Sequence, residues 1–159
     1  MIVVRAVSAV ENKKLILSWD DYFKLCDKLV HQLKNACITD IIAIARGGLI
    51  PAQYLAYKLN VKQIHSFGII TYSGDDKPLS DANIQLYQAP DLSVCKSIYT
   101  TLIVDDIADS GRTLSRCMQV YPARVCTLYY KPTKSIIKPN YFAQTIENDT
   151  WVTFPYDNP

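Results

Sequence analysis

Between Thr101 and Leu114 the chain reads Thr-Leu-Ile-Val-Asp105-Asp106-Ile-Ala-Asp109-Ser110-Gly111-Arg112-Thr113-Leu. An apolar strand runs into two adjacent carboxylates and then a third. A hydroxyl residue, a glycine and a second hydroxyl follow at the start of a helix. Neighbouring Asp105 and Asp106 suit a vicinal diol, such as the 2′ and 3′ hydroxyls of a ribose, or Mg2+ held through water. Free N–H groups at a helix start attract anions, and Gly111 lets the backbone fold closely around a phosphate. Ser110 and Thr113 add hydroxyl donors. Any isolated pair from this run reads as a polar turn with a helix cap, whereas the whole run reads as a ligand site. A second loop, Ala45-Arg46-Gly47-Gly48, also follows a buried strand and precedes a helix. Three of the five glycines lie in these two loops, so the glycine is spent where a phosphate could approach. Neither loop matches G-x-x-x-x-G-K-[ST] or G-x-G-x-x-G. The pattern describes a substrate phosphorylated at two ends with a sugar diol between.

The elements that must position these loops follow from periodicity. Lys14 to Leu17 reads as a short strand. Ser18 then caps a helix with Asp20 and Asp21 in its first turn, favourable at the positive end of the dipole. Tyr22, Leu25, Leu29 and Leu33 recur at helical spacing, which carries that helix to about Asn35. Asp40 to Ala45 is a continuous apolar run, as in a strand buried on both faces. Leu49, Ala52, Leu55, Ala56 and Leu59 mark a second helix with Pro51 in its first turn. A strand is predicted over about 63–72, and residues 73–93 read as a long irregular flap. Strands at 100–105 and 124–130 flank a helix over about 113–120. Alternating buried strands and helices predict an α/β fold with a mainly parallel sheet. The part after Pro132 is less regular, with room for extra strands or a small lobe.

Composition narrows the class. The 159 residues suit one domain, and 49% hydrophobic with 20% charged residues excludes a disordered chain. A net charge of +2 is too weak to argue for a nucleic-acid or anionic-membrane surface. No apolar run is long enough for a membrane span, and Met1 to Val10 lacks a basic leader, so a cytoplasmic location is expected. Cys26, Cys37, Cys95, Cys117 and Cys126 are widely spaced, with no C-x-x-C and only His31 and His65 beside them. They read as reduced thiols mostly in or near the core, and the spacing argues against a zinc site.

Val104 to Leu114 resembles the phosphoribosyl pyrophosphate motif of the type I phosphoribosyltransferases. Ala45-Arg46-Gly47-Gly48 is similar to the family's pyrophosphate loop, and Thr71-Tyr72 with the segment after it resembles the flexible hood. Tyr130-Lys131-Pro132 resembles the Lys-Pro of the 6-oxopurine branch. Asp149-Thr150-Trp151-Val152 with Pro155-Tyr156-Asp157 resembles the C-terminal base pocket of xanthine-guanine enzymes. The likeness spans about residues 15–157. It implies a single domain of the type I phosphoribosyltransferase fold over 1–159. An N-terminal extension would cover about 1–14, a hood loop about 73–93 and a base-pocket region 132–159.

The resemblance also implies a reaction and a set of roles. A ribosyl phosphate group would pass from phosphoribosyl pyrophosphate to N9 of a 6-oxopurine, xanthine or guanine before hypoxanthine, with Mg2+ as cofactor. Asp105 and Asp106 would hold the ribose hydroxyls, directly or through Mg2+, with Asp106 as the metal residue. Asp109, Ser110, Gly111, Arg112 and Thr113 would grip the 5′-phosphate, and Arg46, Gly47 and Gly48 would receive pyrophosphate. Asp109 would be the general acid/base near purine N7. Lys131 would donate to the 6-oxo group, Trp151 would stack on the base and Val152 would offer backbone groups to its edge. A homodimer or homotetramer is implied, with no nucleic-acid partner. The sequence departs from the pattern at Thr153, where some relatives carry an acidic residue, and in the hood, whose only basic residue is Lys77. Two other readings stand beside this one: the same chemistry on another acceptor base, and a non-catalytic regulator that senses phosphoribosyl pyrophosphate or nucleotides.

Overall fold

The computed structural model describes residues 13–70 and 84–157. The expected flap positions 71–83, with Lys77, and the extension 1–12 lie outside the described residues.

Local chemistry sets the first elements. After strand β1 (Lys14–Ile16), helix α1 (Trp19–Leu33) starts at Ser18, whose hydroxyl oxygen accepts from the Asp21 N–H at 3.1 Å. Strand β2 (Asp40–Ala45), almost wholly buried, leads into helix α2 (Leu49–Lys58) and strand β3 (Gln63–Ile70). Strand β4 (Gln85–Gln88) and a short 3-10 turn (Leu92–Val94) follow. The chain then makes β5 (Thr101–Ala108), α3 (Arg112–Val120), β6 (Arg124–Tyr130), β7 (Tyr141–Thr145) and β8 (Trp151–Thr153).

The main sheet has six strands in the order β4-β3-β2-β5-β6-β7, parallel except for the antiparallel edge strand β4. Beside it, β1 and β8 form a parallel two-stranded sheet with Lys14 opposite Trp151. Because strand residues alternate in direction, β2 feeds two cores. Ile41 and Ala43 face α1 and α2, where Tyr22, Leu25, Leu29, Leu55 and Ala56 are buried. Ile42 and Ile44 face the other way, towards Phe67, Leu114 and Cys117. The mainly parallel α/β sheet flanked by helices is therefore the one expected. Among the described residues, no helix is long and apolar enough to cross a membrane.

Two element readings are corrected. The strand expected over 100–105 runs on to Ala108, because Ile107 and Ala108 pair with Tyr129 and Tyr130 of β6 and pack into the cores. Asp106 therefore stands within the strand that bears Asp105 rather than in a loop after it. The flap expected to be irregular over 73–93 contains β4, which β3 templates by antiparallel pairing. The part after Pro132, read as less regular with room for extra strands, supplies two: β7 at the sheet edge and β8 beside β1.

Candidate active site

The chain leaves β2 towards β3 on one side of the sheet and returns to place β5 on the other side of β2. Loops after two such strands diverge and leave a crevice at their carboxyl ends, where ligands of open α/β sheets bind. Arg46, Gly47 and Gly48 follow β2, and Asp109, Ser110 and Gly111 follow β5. The first loop packs against β5. A side-chain carbon on Gly47 would collide with the Asp106 carboxylate, so glycine is required for this close approach. Arg46 is exposed and follows a cis Ala45–Arg46 peptide bond.

Asp105 is 7% exposed, and one of its oxygens accepts from the Asp106 N–H at 3.0 Å. Burial, reinforced by the neighbouring Asp106 charge, pushes the Asp105 carboxyl well above its ordinary value. Burial also raises Asp106, although the Tyr156 hydroxyl donates to its Oδ2 at 2.6 Å. Tyr156 itself is pushed up by burial and by Asp106, so it remains a donor. Its ring stacks on Phe154 and meets Tyr22 edge-on at 6.0 Å. No Lys or Arg among the described residues pairs with either carboxylate. A buried and a half-buried carboxyl, both hard oxygen donors with no Lys or Arg ion pair among the described residues, fit a Mg2+ ion.

Asp109 has the opposite environment. The Lys131 Nζ lies 2.6 Å from its Oδ1, and the Lys134 Nζ lies 2.9 Å from both of its oxygens. Burial pushes the Asp109 carboxyl up, but the bonds and charges of Lys131 and Lys134 outweigh it and hold the group below its ordinary value. A turn makes this arrangement. The Lys131 N–H donates to Ala108 O at the end of β5, and the Lys134 and Ser135 N–H groups fold back onto Lys131 O. The Ile136 N–H then donates to Ser110 O, which docks the turn against the loop. Gly111 takes a left-handed φ of 75°, and a Cβ there would strike the Ser135 hydroxyl and the Ile137 nitrogen. Ser110, Arg112 and Thr113 are half-buried around the start of α3.

Thus Asp105, Asp106, Asp109 and Lys131 gather with the glycines of both loops. Trp151 and Val152 lie on β8, in the two-stranded sheet beside the main one. Trp151 is 61% exposed and presents an open aromatic face, whereas the Val152 side chain points into the core, so only its backbone can face a ligand. Sequence reading missed two side chains. Lys134 was legible only as a second lysine three residues after Lys131. Tyr156 stood within the C-terminal motif, but its link to Asp106, 50 residues away, is a product of folding.

A family model described as a phosphoribosyl transferase domain matches residues 12–158. The chain belongs to the phosphoribosyltransferase family. This phosphoribosyltransferase is 34% identical over 153 residues to the xanthine-guanine phosphoribosyltransferase of Roseobacter denitrificans, covering 92% of this chain and 86% of the relative. It is 30% identical, with the same coverage, to the enzyme of that name from a Ruegeria species. Among solved structures, a purine phosphoribosyltransferase from Pyrococcus horikoshii superposes with a TM-score of 0.71 at 26% identity, covering 91% of this chain and 95% of that one. The Helicobacter pylori xanthine-guanine-hypoxanthine enzyme reaches 0.75 at 20% identity, covering 91% and 94%, which shows a shared fold. As a phosphoribosyltransferase, the protein is an enzyme of the transferase class.

Proposed function

We propose that this phosphoribosyltransferase transfers the 5-phosphoribosyl group of phosphoribosyl pyrophosphate to N9 of a 6-oxopurine, xanthine or guanine before hypoxanthine, in a Mg2+-dependent purine salvage reaction. The C1′–oxygen bond to pyrophosphate breaks, the N9–C1′ bond forms, and a purine ring proton leaves. The observation that carries this reading is the buried Lys131 amine held on Asp109 at the end of the strand that bears Asp105 and Asp106. The relatives named above support the purine acceptor.

Asp105 and Asp106 hold the ribose hydroxyls and stabilise the positive charge that grows on the sugar as the bond to pyrophosphate lengthens. When bound, Mg2+ neutralises the leaving pyrophosphate, and Asp105 and Asp106 are the residues that would hold it. The backbone from Asp109 to Thr113, with the Ser110 and Thr113 hydroxyls, receives the 5′-phosphate. Arg46, Gly47 and Gly48 take the pyrophosphate.

Asp109 is kept ionised by its two lysines and therefore serves as the proton acceptor at the purine ring. A 6-oxo group competes with Asp109 for the Lys131 ammonium, which has three donors. Recognition of the oxo group thus draws one cation away from Asp109 and makes the carboxylate a better base. Adenine sets an amino donor there in place of the oxygen, so the ammonium finds no acceptor on the base and stays on Asp109. Trp151 stacks on the base, and Val152 contributes its backbone. The reading places a homodimer or homotetramer in the cytoplasm.

The test is Lys131→Ala, read as nucleoside monophosphate formation alongside phosphoribosyl pyrophosphate affinity. The expected result is a loss of oxopurine use far larger than any loss of donor binding. Equal losses in both would remove Lys131 from the base pocket.

A further inference from the structure

At the opposite end of the sheet, three metal-ligating side chains from distant parts of the chain converge. Asp40 opens β2, whereas Arg46 follows its end, so six residues of strand separate this cluster from the crevice by about 20 Å. The Asp40 side chain is wholly buried. Its Oδ2 accepts from the Thr39 hydroxyl at 2.6 Å and from the Lys96 N–H at 3.3 Å, but its Oδ1 has no partner. The His65 Nε2 is also buried without a hydrogen bond and faces that Oδ1 at 4.0 Å. The Cys95 sulfur completes the group, with all three ligand atoms within 4.8 Å of one another.

We infer that Asp40, His65 and Cys95 form a structural site for a borderline-soft divalent cation of the Zn2+ class. The linear spacing of the cysteines argued against a zinc site, and the fold overrides that reading by drawing its ligands from three segments.

The geometry favours a cation over direct bonding. A separation of 4.0 Å is too long for a hydrogen bond between carboxylate and imidazole. Ligands each about 2.1 Å from a tetrahedral ion lie about 3.4 Å apart, so an ion would draw the Asp40 and His65 atoms together from 4.0 Å and the Cys95 sulfur inwards from within 4.8 Å, a contraction on the order of an ångström. One carboxylate oxygen, one imidazole nitrogen and one thiolate suit Zn2+ better than Mg2+ or Ca2+, which take oxygen donors. The surrounding groups hold the ligands in place. Thr39 and the Lys96 backbone fix the Asp40 Oδ2 and leave Oδ1 for the ion. Burial and the Asp40 charge push the free Cys95 thiol up, and a bound cation reverses that balance. An ion here ties β2 and β3 to the segment that returns from β4 through the 3-10 turn. It therefore fixes the base of the flap without touching the crevice.

The test uses the full chain freed of metal by chelation. Zn2+ is titrated against a chromophoric competitor, Co2+ is used as a spectroscopic probe, and Tm is measured with and without Zn2+. The expected result is one equivalent of Zn2+, a raised Tm and a thiolate-to-Co2+ charge-transfer band. Cys95→Ser and His65→Gln each lower Zn2+ affinity at least ~100-fold, and Cys95→Ser removes the band. Cys37→Ser and Asp106→Asn, which alter the exposed thiol and the crevice, leave binding intact. No uptake by the wild-type chain, or a wild-type spectrum without the thiolate band, would overturn the inference even if a variant failed to fold. Unchanged affinity in folded Cys95→Ser would do the same.

Discussion

Asp109 lies between two ammonium groups, whereas Asp105 and Asp106 face each other with none. That contrast assigns different work to carboxylates four residues apart or fewer. An Asp109 that moves a proton is needed for turnover rather than for donor binding. Asp109→Asn should therefore cut kcat at least ~100-fold with little change in phosphoribosyl pyrophosphate affinity. An active Asp109→Asn enzyme would end the assignment. Lys134 acts through Asp109, so its effect belongs in the pH profile. Without its charge the Asp109 carboxyl rises, and the acidic limb of kcat/KM moves to higher pH in Lys134→Ala. Lys134→Arg keeps the charge and should leave that limb near its wild-type position. A uniform loss of activity with an unmoved limb would make Lys134 merely structural.

The unpaired carboxylates impose a stability cost with a definite sign. Asp105 is raised in the folded state, so the folded chain holds its proton to higher pH than the unfolded chain does. Stability then falls as pH rises from the ordinary value of 3.8 through the raised one. Asp105→Asn removes the charge and can keep the bond from the Asp106 N–H. Its Tm should exceed wild type by at least ~2 °C near neutral pH, by an amount that shrinks on acidification, while activity falls. Thermal scans over a pH series check this, and a destabilised Asp105→Asn at neutral pH would contradict it.

At the scale of elements, the turn after β6 matters as much as the motif after β5. Residues 131–137 deliver Lys131 and Lys134 to Asp109 and press against Gly111, whose φ of 75° disfavours any other residue. Gly111→Ala should cost about 1–3 kcal/mol by denaturant unfolding and weaken phosphoribosyl pyrophosphate binding. Unchanged stability would mean that the turn can withdraw freely. Most helices and buried strands were legible in the sequence because their apolar spacing is local: Tyr22 to Leu33 at helical period, Ile41 to Ala45 as an unbroken run. Elements defined by a partner strand were not legible. Gln85–Gln88 has little strand character alone and becomes β4 by pairing with β3. Trp151–Thr153 pairs with Lys14–Ile16 from the other end of the chain.

For the whole molecule, the order β4-β3-β2-β5-β6-β7 turns two separate sequence motifs into one crevice. The carboxylate pair, the third Asp and the two glycine loops were legible in the sequence because each motif is contiguous. The ion pairs on Asp109 and the Tyr156–Asp106 bond were not, since they join residues 22 to 50 positions apart. Lys131, Trp151 and Val152 entered only through the family resemblance. Their chemistry is otherwise that of ordinary strand ends.

The most direct measurement is pyrophosphate release from phosphoribosyl pyrophosphate with Mg2+, offering xanthine, guanine, hypoxanthine, adenine, uracil and orotate separately. Release confined to the three oxopurines is the predicted result. Strong release with adenine, uracil or orotate, or none with any of the six while the donor still binds, would contradict a crevice built around Asp109 and Lys131 for oxopurine transfer.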